Sequence, residues 1–123
     1  MDVVSSAGAG VAVWDIVRVD FPFADEARTR RRPALVIAVL PATEAFSIVW
    51  ALMITSAPHD SWPRDVPVFD LGLGGLPRPS VVRTVKVAAL DARLVERIGV
   101  LSAGDRGRVA VCVREALGVV LLG

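Results

Sequence analysis

The sequence has very few of the residues that form disulfides and metal sites. It contains one cysteine, Cys112, and one histidine, His59. A single cysteine excludes a disulfide within the chain, and no pair of cysteines or histidines has the spacing of a zinc site. The sequence therefore predicts a protein that binds no metal and no cofactor.

An excess of charge of either sign is also missing. Fourteen lysines and arginines stand against 13 aspartates and glutamates, which gives the chain a net charge of +1. This balance excludes a protein that coats nucleic acid through its overall charge, so any nucleic-acid site must come from local clustering of cations. The arginines do cluster, in the segment RTRRRP at residues 28–33.

A long uninterrupted hydrophobic run is absent as well. A membrane-spanning helix needs about 20 successive apolar residues. Between Pro33 and His59 the only formal charge is Glu44, but Glu44, Pro41 and the β-branched residues divide this stretch into two pieces of strand length. We predict two buried strands and no membrane contact. The N-terminus carries Asp2 and lacks the basic start of a signal peptide, which indicates a cytoplasmic protein.

Hydrophobic residues are abundant for so small a chain. They make up 54% of the 123 residues, and the mean hydropathy is +0.57. This length fits a single domain that can bury a core without disulfides. We expect residues 1–12 to form a loose leader and residues 13–123 to form the domain. Part of the apolar surface is expected in a subunit interface.

Short strands separated by turns dominate the pattern of the chain. We predict strands at residues 13–21, 34–40, 46–55, 66–69 and 80–88, and a terminal helix from Ser102 to about Leu117. Residues 25–32 are predicted to form a loop, DLGLGGLPRPS to form a turn, and Asp91 to cap a short helical turn over residues 92–96. The strand at 80–88 is expected to alternate, with Val82, Thr84 and Lys86 on one side and Arg83, Val85 and Val87 on the other. Five or six strands and a terminal helix predict a mainly β fold, a small and strongly bent barrel with a helix packed on it.

Two pairs of residues at predicted strand ends could bind a phosphate. Pro33 biases Arg32 toward extended geometry, and the planar guanidinium fits phosphate oxygens. The alternative for Arg32 is a surface ion pair with Asp25 or Glu26. Thr55 and Ser56 end the long apolar strand, where their hydroxyls either hold a phosphate or ribose or simply satisfy the backbone.

The order of these segments carries a resemblance to a known family. WDIVRVDFPF, RRPALVIAVL, VWALMITS, DVPV, GLPRPSVVRTVKVAALDARL, RIGVLSAGD and a terminal helix follow one another from Trp14 to Leu117. In this order the chain resembles the MazF/PemK family of toxin endoribonucleases. The resemblance implies an SH3-like barrel, which CcdB-type gyrase poisons share, and a homodimer. It also implies metal-independent cleavage of single-stranded RNA and neutralisation by a cognate antitoxin.

The resemblance also assigns site residues. It places the family's functional arginine on Arg32, its threonine on Thr55, the following small polar residue on Ser56, and a further arginine of PemK-like members on Arg83. The chain departs from the family at several positions. Trp14 stands where a glycine is usual, Val85 where some members have an aspartate, and Lys86 where many have a glutamine. No histidine is present in the first loop. These departures leave the arginine and threonine in place.

A metal-free mechanism assigns roles to these residues. The ribose 2′-hydroxyl attacks the adjacent phosphate, which gives a 2′,3′-cyclic phosphate and a 5′-hydroxyl, so the enzyme supplies orientation and charge stabilisation. Arg32 is predicted to stabilise the transition state and to donate a proton to the leaving oxygen, while Thr55 hydrogen-bonds the phosphate or the attacking hydroxyl. The predicted RNA-binding residues are Arg28, Arg30, Arg31, Ser56, Arg83 and Lys86.

Two further residues have open interpretations. His59 is of a type that titrates near neutral pH, so it is either the general base or a solvated loop residue. Trp62 either stacks a base or packs against the barrel. The function has alternatives too: a non-catalytic toxin that inhibits gyrase by binding, or an inactive member that binds RNA or antitoxin. We further expect an acidic antitoxin segment to cover Arg32.

Overall fold

The computed structural model describes residues 10–22, 29–57 and 60–122. Most of them belong to six strands and a long terminal helix. The elements, in chain order, are β1 (Asp15–Pro22), β2 (Thr29–Pro41), β3 (Ser47–Ser56), β4 (Asp65–Pro67), α1 (Leu71–Gly74), β5 (Ser80–Asp91), a 3₁₀ turn (Ala92–Leu94), β6 (Glu96–Val100) and α2 (Ala103–Leu122).

The six strands form one antiparallel sheet in the order β4-β5-β3-β2-β1-β6. Strands that are consecutive in sequence pair through most of it, from β1 to β2 to β3 and from β4 to β5. The first strand, β1, also pairs with the last strand, β6. The predicted fold class, mainly β with a C-terminal helix, is confirmed.

Three irregularities in the strand pairing bend the sheet. One lies between Ile16 and Val17 where β1 meets β6, and a second leaves Ile37 of β2 without a partner on β3. The third is the largest: Leu52 pairs with Val87 while the next residue of β3 pairs with Arg83. Three residues of β5, 84–86, therefore stand outside the ladder. Bulges of this kind turn a strand sharply and re-aim its side chains.

The bent sheet has a hydrophobic core on each face. Leu52, Val82 and Val109 belong to the core that also takes in α2, whereas Val49 and Ala51 belong to the core on the other face. Leu52, Val49 and Ala51 are fully buried although they are close neighbours on β3. The prediction that this long apolar run forms a buried strand is therefore correct, and most of the strand is covered on both faces.

The arginine-rich segment is strand, and its prediction as a loop is wrong for the part that the structure describes. Arg31 pairs with Asp20 and Arg32 with Val19, so β2 begins at Thr29. A row of arginines can extend a strand because its backbone hydrogen bonds are made to β1 while alternate side chains leave to opposite sides.

Other predicted boundaries also change. The segment DLGLGGLPRPS contains the short helix α1, the predicted turn at 92–96 is shorter and gives way to β6, and α2 continues five residues beyond Leu117 to Leu122. Regular alternation in β5 is wrong, because Val82, Arg83 and Thr84 are all buried around the bulge. The capping predictions are confirmed: Ser102 Oγ accepts from the Asp105 amide at 3.2 Å, and Asp91 Oδ1 accepts from the Arg93 amide at 2.8 Å.

The longest helix in the described part of the chain, α2, packs on the sheet through Val109 and partly through Cys112. Cys112 is therefore a packing residue. None of the helices that the structure describes is long and apolar enough to cross a membrane.

Candidate functional site

A groove of about 730 Å³ crosses the strand ends at one side of the sheet. Its lining comes from the beginnings of β2 and β5, the end of β3 and the loops near residues 60 and 77. Arg32 and Thr55 both line it. The two residues on which the predicted chemistry depends therefore share one cleft.

Strand register explains why these two side chains meet. Ala34 of β2 pairs with Met53 of β3 in the antiparallel ladder. Continuing this register by two residues places Arg32 opposite Thr55. Because side chains alternate along a strand, both project from the face that carries Ala34 and Met53. Arg32 is half-buried at this position.

Ser56 lines the same groove from the end of β3. It pairs with Ser80 of β5, whose hydroxyl donates to the Arg78 carbonyl at 2.8 Å. The groove floor therefore offers two hydroxyls besides that of Thr55.

Arg31 lines the groove but is already engaged by acidic residues. Its guanidinium lies 3.3 Å from Asp20 Oδ1 and 2.6 Å from Glu96 Oε1. These contacts offset much of its charge, so Arg31 is a weaker phosphate ligand than its place in the sequence suggests. The backbone of Arg30 belongs to β2, while its side chain, like Arg28 and His59, lies outside the described residues.

Arg83 is fixed in the groove wall by a two-pronged ion pair. Its Nε lies 3.2 Å from Asp65 Oδ1 and its Nη2 lies 3.0 Å from Asp65 Oδ2. Nη2 also donates to the Asp60 carbonyl at 2.6 Å. Only 10% of the Arg83 side chain is exposed. Position 85 is a valine, and the acidic partner of Arg83 comes from β4.

Trp62 stands beside this ion pair. The Arg83 guanidinium lies 4.1 Å from the centre of the Trp62 ring, and the Lys86 ammonium lies 5.9 Å from it. Both distances fit a cation over an aromatic face. Trp62 nevertheless keeps 40% of its surface exposed and lines the groove.

Several groove residues have no clear signal in the sequence. Arg18 and Arg78 line the groove, and neither forms an ion pair within the described ranges. The alternation of side chains in β1 could have indicated Arg18 as a groove residue, because Arg18 pairs with Pro33 of β2, next to Arg32. Asp65 lies 18 residues from Arg83 along the chain, and no local pattern predicts that pairing.

The electrostatics of the groove favour a polyanion. Its lining contains six basic residues and, within the described residues, one acidic residue, Asp60; the basic residues are Arg18, Arg31, Arg32, Arg78, Arg83 and Lys86. Guanidinium groups and hydroxyls at strand ends can together hold a phosphodiester. An exposed aromatic ring beside them can stack a base.

Comparisons with known proteins agree with this geometry. The family model of the PemK-like, MazF-like toxins of type II toxin–antitoxin systems matches residues 12–117. A search of the curated proteins found no match. The chain therefore belongs to the PemK-like, MazF-like toxin family.

Solved structures share the fold at low identity. The crystal structure of MazE-MazF (form III) from Deinococcus radiodurans is 23% identical with a TM-score of 0.65, over 88% of this chain and 96% of that chain. An endoribonuclease in complex with its cognate antitoxin from a mycobacterial species is 15% identical with a TM-score of 0.67, over 88% and 95%. The toxin MazF-mt6 of Mycobacterium tuberculosis is 21% identical with a TM-score of 0.62, over 84% and 95%.

Proposed function

We propose that this toxin is a metal-independent endoribonuclease that cleaves single-stranded RNA. The observation that carries the proposal is the meeting of Arg32 and Thr55 in one cationic groove. Family membership supports it, as does the description of one structural neighbour as an endoribonuclease.

The proposed reaction is an internal transesterification. The ribose 2′-oxygen attacks the adjacent phosphorus, the bond from phosphorus to the 5′-oxygen breaks, and a 2′,3′-cyclic phosphate and a 5′-hydroxyl result. Arg32 stabilises the negative charge that grows on the phosphate oxygens and can give a proton to the leaving oxygen. Thr55 orients the phosphate by hydrogen bonding, which makes the internal attack productive.

The proton of the 2′-hydroxyl needs an acceptor. Asp60 is the acidic residue of the groove lining in the described part of the chain, and its backbone carbonyl accepts a hydrogen bond from Arg83 at 2.6 Å. We assign Asp60 this role. A guanidinium stays protonated at neutral pH, so the groove arginines are unsuited to it.

The remaining groove residues bind the RNA strand in this proposal. Arg18, Arg78 and Lys86 contact neighbouring phosphates, with smaller contributions from Arg31 and the hydroxyl of Ser56. The predicted contributions of Arg28 and Arg30 fall on side chains outside the described residues. These contacts give affinity with little dependence on sequence.

The first test is cleavage of a mixed RNA pool in the presence of EDTA. We expect the parent protein to cut and Arg32→Ala to lower kcat/KM about 100-fold or more, because one lost donor to a developing oxyanion is worth about 3 kcal/mol. Thr55→Ala should lower it to a similar or smaller extent. End-group analysis should find the cyclic phosphate on the 5′ fragment.

A matched control separates this effect from general loss of charge. Arg114 is an exposed cation of α2 that does not line the groove. Arg114→Ala should cut as the parent does. If Arg32→Ala and Thr55→Ala both cut normally, the site assignment is wrong. If the parent cuts no RNA, a toxin that acts by binding is favoured.

Two partners complete the proposal. An antitoxin segment rich in acidic residues would occupy the groove and cover Arg32, and a neutralising partner that left RNA access open would contradict this. A second copy of the chain would cover the exposed side chains of Leu40, Trp50 and Val87, which share one face of neighbouring strands. Sedimentation analysis would test this homodimer.

A further inference from the structure

The turn before β4 is closed by its own first and last residues. The Asp65 amide donates to the Trp62 carbonyl at 3.2 Å, and the Trp62 amide donates to Asp65 Oδ2 at 2.9 Å. Between them lie Pro63 and Arg64, and Arg64 has a φ of 65°. Proline followed by a residue with positive φ is the pattern of a type II turn. The position of Trp62 is therefore set by hydrogen bonds to Asp65.

Two neighbouring residues of β5 hold this turn from outside. Arg83 grips the Asp65 carboxylate with Nε and Nη2, and Thr84 Oγ1 donates to the Arg64 carbonyl at 2.7 Å. Adjacent residues of a regular strand point in opposite directions, but the bulge at 84–86 lets both reach the turn. The largest irregularity of the sheet thus serves to fix the Trp62–Asp65 turn.

The state of Arg83 argues against a simple role in phosphate binding. The exposed fractions of the Arg83 and Asp65 side chains are 10% and 11%, and their charges neutralise one another. What the guanidinium does present is its face, which lies against the Trp62 ring at 4.1 Å. The pair therefore acts on the groove through Trp62.

We propose that Asp65 is a positioning residue of the groove: its carboxylate fixes Arg83 against Trp62, and so holds that ring as the surface on which a nucleobase beside the cleaved phosphate stacks. The inference rests on the proposed RNA cleavage. A ring that is held in place before RNA arrives loses little conformational freedom on binding. Stacking on such a ring is expected to change affinity by about five- to 150-fold per base.

The experiment combines protein variants with altered RNA. After the cleavage site has been located, cleavage is measured on the intact RNA and on RNAs that carry an abasic ribose on either side of the cleaved phosphate. The parent should lose at least fivefold in kcat/KM on one abasic RNA. Asp65→Asn, which keeps the size of the side chain and removes its charge, should lose activity on intact RNA and show little further loss on that abasic RNA.

A second variant covers the case in which Asp65→Asn fails to fold. Trp62→Ala leaves the Asp65–Arg83 pair intact and should show the same insensitivity to the missing base. Trp62 emission, taken as the difference between each protein and the same protein with Trp62→Phe so that Trp14 and Trp50 cancel, should be quenched by RNA in the parent and less so in Asp65→Asn. The control is Asp91→Asn, because Asp91 also pairs with an arginine, at 2.7 Å, and does not line the groove.

The outcomes separate the two proposals. If Asp65→Asn and Trp62→Ala each lose equally on intact and abasic RNA, stacking on Trp62 is refuted while RNA cleavage stands. The same holds if the parent cuts the abasic RNAs as well as the intact one. If the parent cuts no RNA, the proposed function fails and this inference fails with it.

Discussion

Among single residues, Trp14 shows most clearly how this chain accommodates a departure from its family. Its φ is 79°, a left-handed conformation that glycine adopts easily and a bulky residue rarely does. Hydrogen bonds fix this conformation from both sides: the Trp14 amide donates to the Val36 carbonyl at 2.8 Å, and the Leu101 amide donates to the Trp14 carbonyl at 2.9 Å. Packing of its ring against the core beneath α2 offsets the strain.

Asp60 gives a prediction for a single residue. Its negative charge should assist the reaction as a proton acceptor but should weaken the binding of nearby phosphates. Asp60→Asn removes the proton acceptor, so kcat should fall about 100-fold or more. Affinity for RNA with a 2′-deoxy ribose at the cleaved position should stay the same or rise, because a negative charge leaves a groove that binds phosphates. Single-turnover cleavage and equilibrium binding measure the two effects separately.

The outcome that contradicts this assignment is a loss of binding with kcat unchanged. Such a result would make Asp60 a contact to a base or ribose rather than the proton acceptor. Asp91→Asn again serves as the control. The Arg93 hydrogen bonds lower the pKa of Asp91, so this variant also removes a full negative charge at neutral pH, at a place outside the groove.

At the scale of elements, helix α1 and strand β6 touch backbone to backbone through glycines. A Cβ atom at Gly99 would lie 2.3 Å from the carbonyl carbon of Gly74 and 2.6 Å from the Leu73 carbonyl oxygen. Gly75 ends α1 with a φ of 69°, and a Cβ there would lie 2.1 Å from the Ile98 carbonyl oxygen. These glycines allow α1 to pack against the edge strand of the sheet.

Gly99→Ala should therefore destabilise the protein strongly. The clash is with backbone, which cannot rotate away, so we expect a loss of about 3 kcal/mol or more in the free energy of unfolding. Urea denaturation measures it. The matched control is Gly104→Ala in the first turn of α2, where a Cβ meets open space and alanine should stabilise by up to about 1 kcal/mol. Equal effects of the two substitutions would refute this account of the contact.

The strands most readily predicted were those with long apolar runs. Residues such as Val49 and Leu52 indicate β3 directly, because both faces of that strand are buried. Strand β6 escaped prediction because ERIGV is short and half exposed, and α1 because LGLG has little intrinsic helix propensity. The two elements approach each other at Gly74 and Gly99, a contact that no local pattern encodes.

On the scale of the whole molecule, one part of the candidate site could be predicted from the sequence and another part could not. Arg32 and Thr55 could be brought together from the sequence because Arg32 precedes one apolar run, Thr55 ends the next, and the two runs form neighbouring strands. The Asp65–Arg83 pair could not, because it depends on a bulge and on the pairing of β4 with β5. Ion pairing within the fold also decides which arginines are available to a ligand.

The difference in ion pairing between the groove arginines Arg31 and Arg78 predicts how RNA binding should respond to salt. Each cation that neutralises a phosphate of single-stranded nucleic acid contributes about −0.7 to the slope of log K against log salt. Arg78 forms no ion pair in the described ranges, so Arg78→Gln should reduce the slope by about 0.7. Arg31 lies against Asp20 and Glu96, so Arg31→Gln should change the slope much less. Titration of uncleavable RNA between about 50 and 200 mM salt measures both.

A larger change for Arg31→Gln than for Arg78→Gln would show that RNA displaces the carboxylates of Asp20 and Glu96 from Arg31. In that case the ion pairs of the unbound protein would not predict its RNA contacts.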